Sequence, residues 1–359
     1  MQAAMLLEPG RLERIELPEP PDPMSGEALV AVRRVGVCGT DFHAYASTQN
    51  FFAYPRVLGH ELAVEVLELG PGTADGSANG SGAVRVGDTC AVMPYLSCGA
   101  CTACARGQAN CCERIDVLGV TVDGGMRERL IVPVSALYSR PGLSLDQLAL
   151  VETLGIGMHA VERARPMPSD TVLIIGTGPI GLAVAQCIRN AVDRVVVSDL
   201  SPGRLAFAER IMGLTAVTAG PDLHDALREH LDGALPTLVF DATGSKDSME
   251  AAFELVGAGG KLILVGHTTG PITFDNPLFH QRELDVRGSR NALPSEWATV
   301  LDRVAGATLD ALPWIGRRSS LAAISDDLPE LAGGTGGPVK VIVDIDPDID
   351  PDGGPEVDR

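Results

Sequence analysis

A thiol at Cys38 in Gly36-Val37-Cys38-Gly39-Thr40-Asp41-Phe42-His43, followed downstream by the adjacent His60 and Glu61, offers sulfur, imidazole nitrogen and carboxylate oxygen. That mixed donor set suits zinc left with an open position. Each residue alone has a plainer use: a lone Cys packs as a small hydrophobe, and a lone His is usually a satisfied structural group. A second set of donors strengthens the metal reading. Cys98-x2-Cys101-x2-Cys104-x7-Cys112 supplies four thiolates on a tight loop, enough to close a tetrahedral zinc site of the structural kind. Cys111, beside Cys112, is chemically able to take its place.

A third pattern binds a nucleotide. The apolar run Thr171-Val172-Leu173-Ile174-Ile175 leads into Gly176-Thr177-Gly178-Pro179-Ile180-Gly181, and Leu182 to Gln186 then reads as helix. Glycines there allow a tight turn, close approach of a pyrophosphate and helix-strand packing, and the helix N-terminus attracts phosphate. A following apolar strand, Val195-Val196-Val197, ends near Asp199, where a carboxylate grips the ribose hydroxyls. Asp199 repels a 2′-phosphate and the next residue, Leu200, carries no compensating charge, so NAD is expected over NADP. Arg204 falls where it reaches along the adenosine ribose or simply faces solvent. Thr243, Val265 and Gly266 follow further apolar strands, at the strand ends where ligands bind in an open α/β sheet.

These groups need elements to carry them. The chain has 359 residues and 45% apolar content, enough for two domains with real cores. Residues 1–150 carry short β-like runs such as Ala28 to Val32 and Leu62 to Val66, broken by Pro and Gly. Residues 151–292 alternate apolar strands with helix-length segments, the βαβ pattern of a parallel sheet. Residues 293–345 are expected to return to the first domain, with the strand-like Val339 to Val343 completing its sheet. The loop at 71–83 reads as a flexible surface segment without chemistry, and 346–359 as a disordered acidic tail.

A formal charge of −19 disfavours nucleic acid and anionic membranes as partners. Positive charge is nearly all Arg, with Lys only at Lys246, Lys261 and Lys340. The sequence shows neither a signal-peptide pattern nor an apolar stretch of bilayer length, so the cytoplasm is the expected location. There, crowded cysteines point to metal rather than disulfides.

Together, Gly36 to Asp41, Gly59-His60-Glu61, the four-cysteine lobe, Val151-Glu152 and the nucleotide turn resemble the zinc-dependent medium-chain dehydrogenase/reductase superfamily over nearly the whole chain. The resemblance implies an α/β protein, a GroES-like mostly β catalytic domain plus a doubly wound Rossmann domain for NAD, with the active site in the cleft between them. It also implies two zinc ions per chain. Cys38, His60 and Glu152 would hold the catalytic one, with Glu61 an alternating or fourth ligand, and Cys112 would complete the structural one. Asp41 would accept the other imidazole N–H of His60. Thr40 would take the alcohol proton and pass it through the nicotinamide ribose to His43. Asn291 would be a cofactor contact, and the family commonly forms dimers or tetramers. One departure is the pair Ala63 and Val64, where the family usually has a Gly.

Phe51 to Glu61, Asn110-Cys111-Cys112 and Phe279-His280 with Gly288 to Ala292 are similar to the L-galactonate 5-dehydrogenase branch, which oxidises a secondary hydroxyl of a sugar acid. An acidic protein taking an anionic substrate needs a local cation, for which Arg56 and Arg290 are the candidates; each is also open to a structural ion pair. The same metal and cofactor sites serve a dehydrogenase of another polyol, diol or simple alcohol. A non-catalytic regulator that binds NAD or zinc is the reading of another class, since fold alone does not fix function.

Overall fold

In a computed structural model, which describes residues 1–48, 52–73, 83–333 and 339–346, the chain divides into two units. One comprises Met1–Glu152 and Leu293–Arg359, the other Thr153–Ala292.

The first unit is organised by the strand Glu27–Val37. Its Val and Ala residues favour a pleated, buried surface, and it pairs antiparallel with Glu61–Leu69, Arg129–Pro133 and Lys340–Asp344. Thr89–Val92, Leu137–Ser139 and Ile315–Ser320 extend this into a seven-stranded sheet. Val30, Val32, Val35, Leu62, Val64 and Val343 are buried in its core. Ala63 and Val64 are fully buried in the ladder, opposite Arg34 and Val32, so the strand behind His60 packs without the family's Gly. Lys340–Asp344 lies far along the chain, yet its register sets Val341 opposite Val37. A separate two-stranded ribbon joins Tyr95–Leu96 to Asp116–Val117.

The second unit is a six-stranded sheet whose neighbouring strands are all parallel. Its order is Thr215–Thr218, Arg194–Asp199, Thr171–Ile175, Leu238–Asp241, Lys261–Leu264 and Asp285–Gly288. The first strand of the unit therefore lies inside the sheet, and the order reverses beside it, which makes the crevice at its carboxyl end the ligand site of a doubly wound fold. Leu173, Val196, Val239, Phe253 and Leu262 are buried in the core, as continuous apolar strands covered on both faces require.

Of the run at 71–83 only residues 71–73 and 83 are described, and of the acidic tail only Asp346. What the sequence suggested for the remainder lies outside the described residues. Among the described residues no helix is long and apolar enough to cross a membrane.

Candidate functional site

Cys38 stands at the N-cap of the helix Gly39–Tyr45, directly after the strand Glu27–Val37. His60 directly precedes the neighbouring strand Glu61–Leu69, which Glu61 opens opposite Gly36. That register sets ligand atoms of Cys38, His60 and Glu61 all within 4.8 Å of one another. Gly36 is required for the arrangement: a Cβ there would stand 1.9 Å from Glu61 Oε2. His60 and Glu61 are 5% and 0% exposed, and His60 Nδ1 and Glu61 Oε2 are buried without a hydrogen-bond partner. Buried polar atoms left so are costly. A cation between these donors removes that cost.

The electrostatics agree. Burial opposes a charge on His60, but the Cys38 sulfur, then Asp41 and Glu152, outweigh it and hold the imidazole well above its ordinary range. A pocket that drives an imidazole towards protonation is one that favours positive charge, and a divalent metal supplies that charge without the proton.

Of the two carboxylates that the sequence left open, Glu61 belongs to this cluster and Glu152 is not among its members. Glu152, 4% exposed in the first turn of the helix Val151–Ala164, accepts a hydrogen bond at Oε1 from the Tyr95 hydroxyl. Burial raises the pKa of both, and in Tyr95 the Glu152 charge raises it further. Glu61 Oε1 is bound by Lys340 Nζ, whose strand places it beside Cys38. Asp41 takes a partner other than the one expected from the resemblance. Its Oδ2 accepts the Cys38 amide at 2.9 Å, while Oδ1 is buried without a partner. The geometry makes it the residue that ties down the turn carrying Cys38.

Thr40 and His43 lie three residues apart on the short helix and so share a face. Thr40 Oγ1 is 3.8 Å from Cys38 Sγ. His43 is exposed, with Nδ1 2.9 Å from Thr48 Oγ1. That hydroxyl also donates to the His43 carbonyl at 3.3 Å, so it accepts from Nδ1–H and leaves Nε2 to take a proton.

Cys98, Cys101, Cys104 and Cys112 form the second cluster, again within 4.8 Å of one another. Cys111 is exposed and outside it. Cys112 Sγ accepts the amides of Cys98 at 3.3 Å and Arg114 at 3.4 Å. The Ala100 amide first, then Cys112 and Arg114, bring the Cys98 thiol down to about 6, the thiolate form that zinc takes. Burial, by contrast, raises the Cys104 thiol to about 11, so the fit to a closed four-sulfur site rests on the number and closeness of the sulfurs.

In the second unit the turn after Thr171–Ile175 runs through Gly176, at φ +91°, into the helix Pro179–Ile188, with Gly178 as N-cap and Pro179 at its start. Ile180 is half-buried and Gly181 buried. A Cβ on Gly181 would meet Gly176 O at 1.8 Å; the turn and the helix touch there, as a dinucleotide turn demands. Asp199 Oδ2 accepts from Thr177 N at 2.7 Å and Thr177 Oγ1 at 2.9 Å, and Oδ1 from Ser201 N at 2.8 Å. Arg204 Nη1 stands 3.9 Å from Asp199 and close to Gly178, so it borders the nucleotide turn. Thr243 Oγ1 bonds Asp241 Oδ1 at 2.7 Å, and the amides of Val265 and Gly266 converge on Asp241 O at 2.9 Å, bringing the ends of two neighbouring strands to one rim. Asn291 takes a left-handed φ of 53°. Arg290 beside it is exposed.

Arg56 Nη1 is 3.3 Å from Asp123 Oδ1, which also accepts the Val57 amide at 3.1 Å. Its charge is therefore met within the protein. Lys340 and Tyr95 escaped the sequence reading. The available signals were one of only three Lys residues in an Arg-rich chain, set in a Val and Ile strand, and one of only four Tyr residues lying three positions before the first lobe cysteine.

Comparison with known proteins agrees with this geometry. Residues 24–142 match the alcohol dehydrogenase GroES-like domain and residues 179–306 the zinc-binding dehydrogenase family. L-galactonate-5-dehydrogenase of Escherichia coli K12 is 38% identical over 86% of this chain and 88% of its own. The 2-dehydro-3-deoxy-L-galactonate 5-dehydrogenase of Pseudoalteromonas atlantica is 28% identical over 90% of this chain and 92% of its own. Among solved structures, the alcohol dehydrogenase RspB of Escherichia coli CFT073, complexed with NADH, superposes with a TM-score of 0.87 at 28% identity, covering 96% of this chain and 99% of that one.

Proposed function

The chain belongs to the zinc-binding dehydrogenases of the alcohol dehydrogenase type, and from that premise we propose that it oxidises a secondary hydroxyl of a sugar acid, L-galactonate or a close relative, with NAD as hydride acceptor. The observation that carries the reading is the convergence of Cys38, His60 and Glu61 beside a helix that presents Thr40 and His43. Zinc held there would lower the pKa of a coordinated hydroxyl, as it brings that of bound water down to about 7.

The residues of the chain do the rest. Thr40 Oγ1 receives the hydroxyl proton, and His43 Nε2 accepts it for release to solvent, imidazole being the commonest general base. Glu61 is the carboxylate at rest beside Cys38 and His60, and Glu152 is held in reserve. On the second unit, Gly176, Gly178 and Gly181 shape the pyrophosphate turn, and Asp199 receives the adenosine ribose. Asp199 favours NAD because a 2′-phosphate would meet a buried carboxylate; Arg204 borders the same place and offsets only part of that repulsion.

The sugar-acid reading is supported by similarity to two enzymes whose names place their oxidation at position 5 of a galactonate. Arg56 and Arg290 are the candidates for the substrate carboxylate, Arg56 standing 3.3 Å from Asp123 Oδ1 and Arg290 being exposed. Resemblance to the family supports, as part of the same proposal, a cytoplasmic homodimer or homotetramer. NADH formation across aldonates, neutral polyols and simple alcohols tests it: kcat/KM highest for L-galactonate or a near relative supports the proposal, and preference for a neutral polyol or alcohol overturns it.

A further inference from the structure

We propose that Tyr95 is a positioning residue for the reaction, its hydroxyl fixing the Glu152 carboxylate clear of the Cys38, His60 and Glu61 cluster until that carboxylate is needed. The inference rests on the reading of Glu152 as a group that acts at this centre. Glu152 lies in the first turn of its helix, and a glutamate there can swing its carboxylate through several rotamers. The Tyr95 hydroxyl holds one of its oxygens, at a place where Glu152 still acts electrostatically on His60 without joining the ligand cluster.

Tyr95 is itself held from outside the centre. It pairs with Val117 in the short ribbon, and Leu118 N bonds Pro94 O at 3.1 Å beneath it. One ribbon strand runs directly into Cys98 and the other begins shortly after Cys112. Joining these two sulfurs through one lobe fastens both strand ends, so the ribbon presents the phenol from a rigid base. A loop alone would not give a carboxylate a fixed address.

The test is a double-mutant cycle of Tyr95→Phe and Glu152→Gln in the holoenzyme, read by turnover and by the visible spectrum of protein with cobalt exchanged into the Cys38 and His60 centre. Tyr95→Phe keeps the ring and loses only the donor. It should lower kcat about tenfold, as loss of a group that orients a ligand does, shift the cobalt bands, and leave the thermal midpoint nearly unchanged. In the Glu152→Gln background it should add almost nothing. Equal loss in both backgrounds, or an unmoved cobalt spectrum, overturns the role given to Tyr95. If Glu152→Gln alone leaves turnover and spectrum unchanged, the reading of Glu152 fails first and the proposal falls with it.

Discussion

Lys340 Nζ binds Glu61 Oε1 with both side chains closed to solvent, at 1% and 0% exposure. The pair joins the return strand Lys340–Asp344 to the strand that opens at the metal cluster. Burial opposes the Lys340 charge, but Glu61 and then Cys38 outweigh it and raise its pKa. One oxygen of Glu61 is thus occupied while the other stays available to a metal.

Breaking a buried pair by removing one partner leaves an uncompensated charge and costs about 3–5 kcal/mol. Lys340→Met is therefore expected to destabilise the protein by that order in urea denaturation. Lys340→Met with Glu61→Gln should cost less than the sum of the two single changes. Additive losses would mean that the two residues act separately.

Removal of the lobe metal should be local in its requirement. Cys112→Ser should lower bound zinc from two to about one per chain and reduce the thermal midpoint, because a structural site contributes folding free energy directly. Cys111→Ser should leave both unchanged, since its thiol stands outside the cluster.

Thr40→Ala should reduce turnover by roughly 10²–10⁴-fold, the usual worth of a positioned proton-transfer group, with zinc content unchanged. Thr40→Ser should recover most of that activity. Initial-rate kinetics with metal analysis check both; undiminished turnover in the alanine variant would remove Thr40 from proton transfer.

Much of the site was legible in the sequence, because the ligand types of each zinc cluster and the glycines of the nucleotide turn lie close together along the chain. The parallel sheet was equally legible from its uninterrupted apolar strands. Lys340 and Tyr95 were not, because their partners lie 279 and 57 positions away and nothing local reports a contact that only strand pairing creates. Arg56 is the converse case. Its place four residues before His60 left a role towards substrate and a structural ion pair both open, and in the structure Asp123 Oδ1 meets its guanidinium and the neighbouring Val57 amide.

Asp199→Gly should raise kcat/KM with NADP and lower it with NAD, since the buried carboxylate that repels a 2′-phosphate is gone and Arg204 remains at the turn. Steady-state kinetics with each coenzyme check this. An unchanged coenzyme preference would place the discrimination elsewhere.

Zinc content measured alongside NADH formation in Cys38→Ser tests the central claim most directly. The account predicts that this variant keeps about one zinc per chain, in the four-cysteine lobe, and loses alcohol-dependent NADH formation. A Cys38→Ser protein that retains two zinc ions, or that turns over substrate at the rate of the unaltered chain, would contradict it.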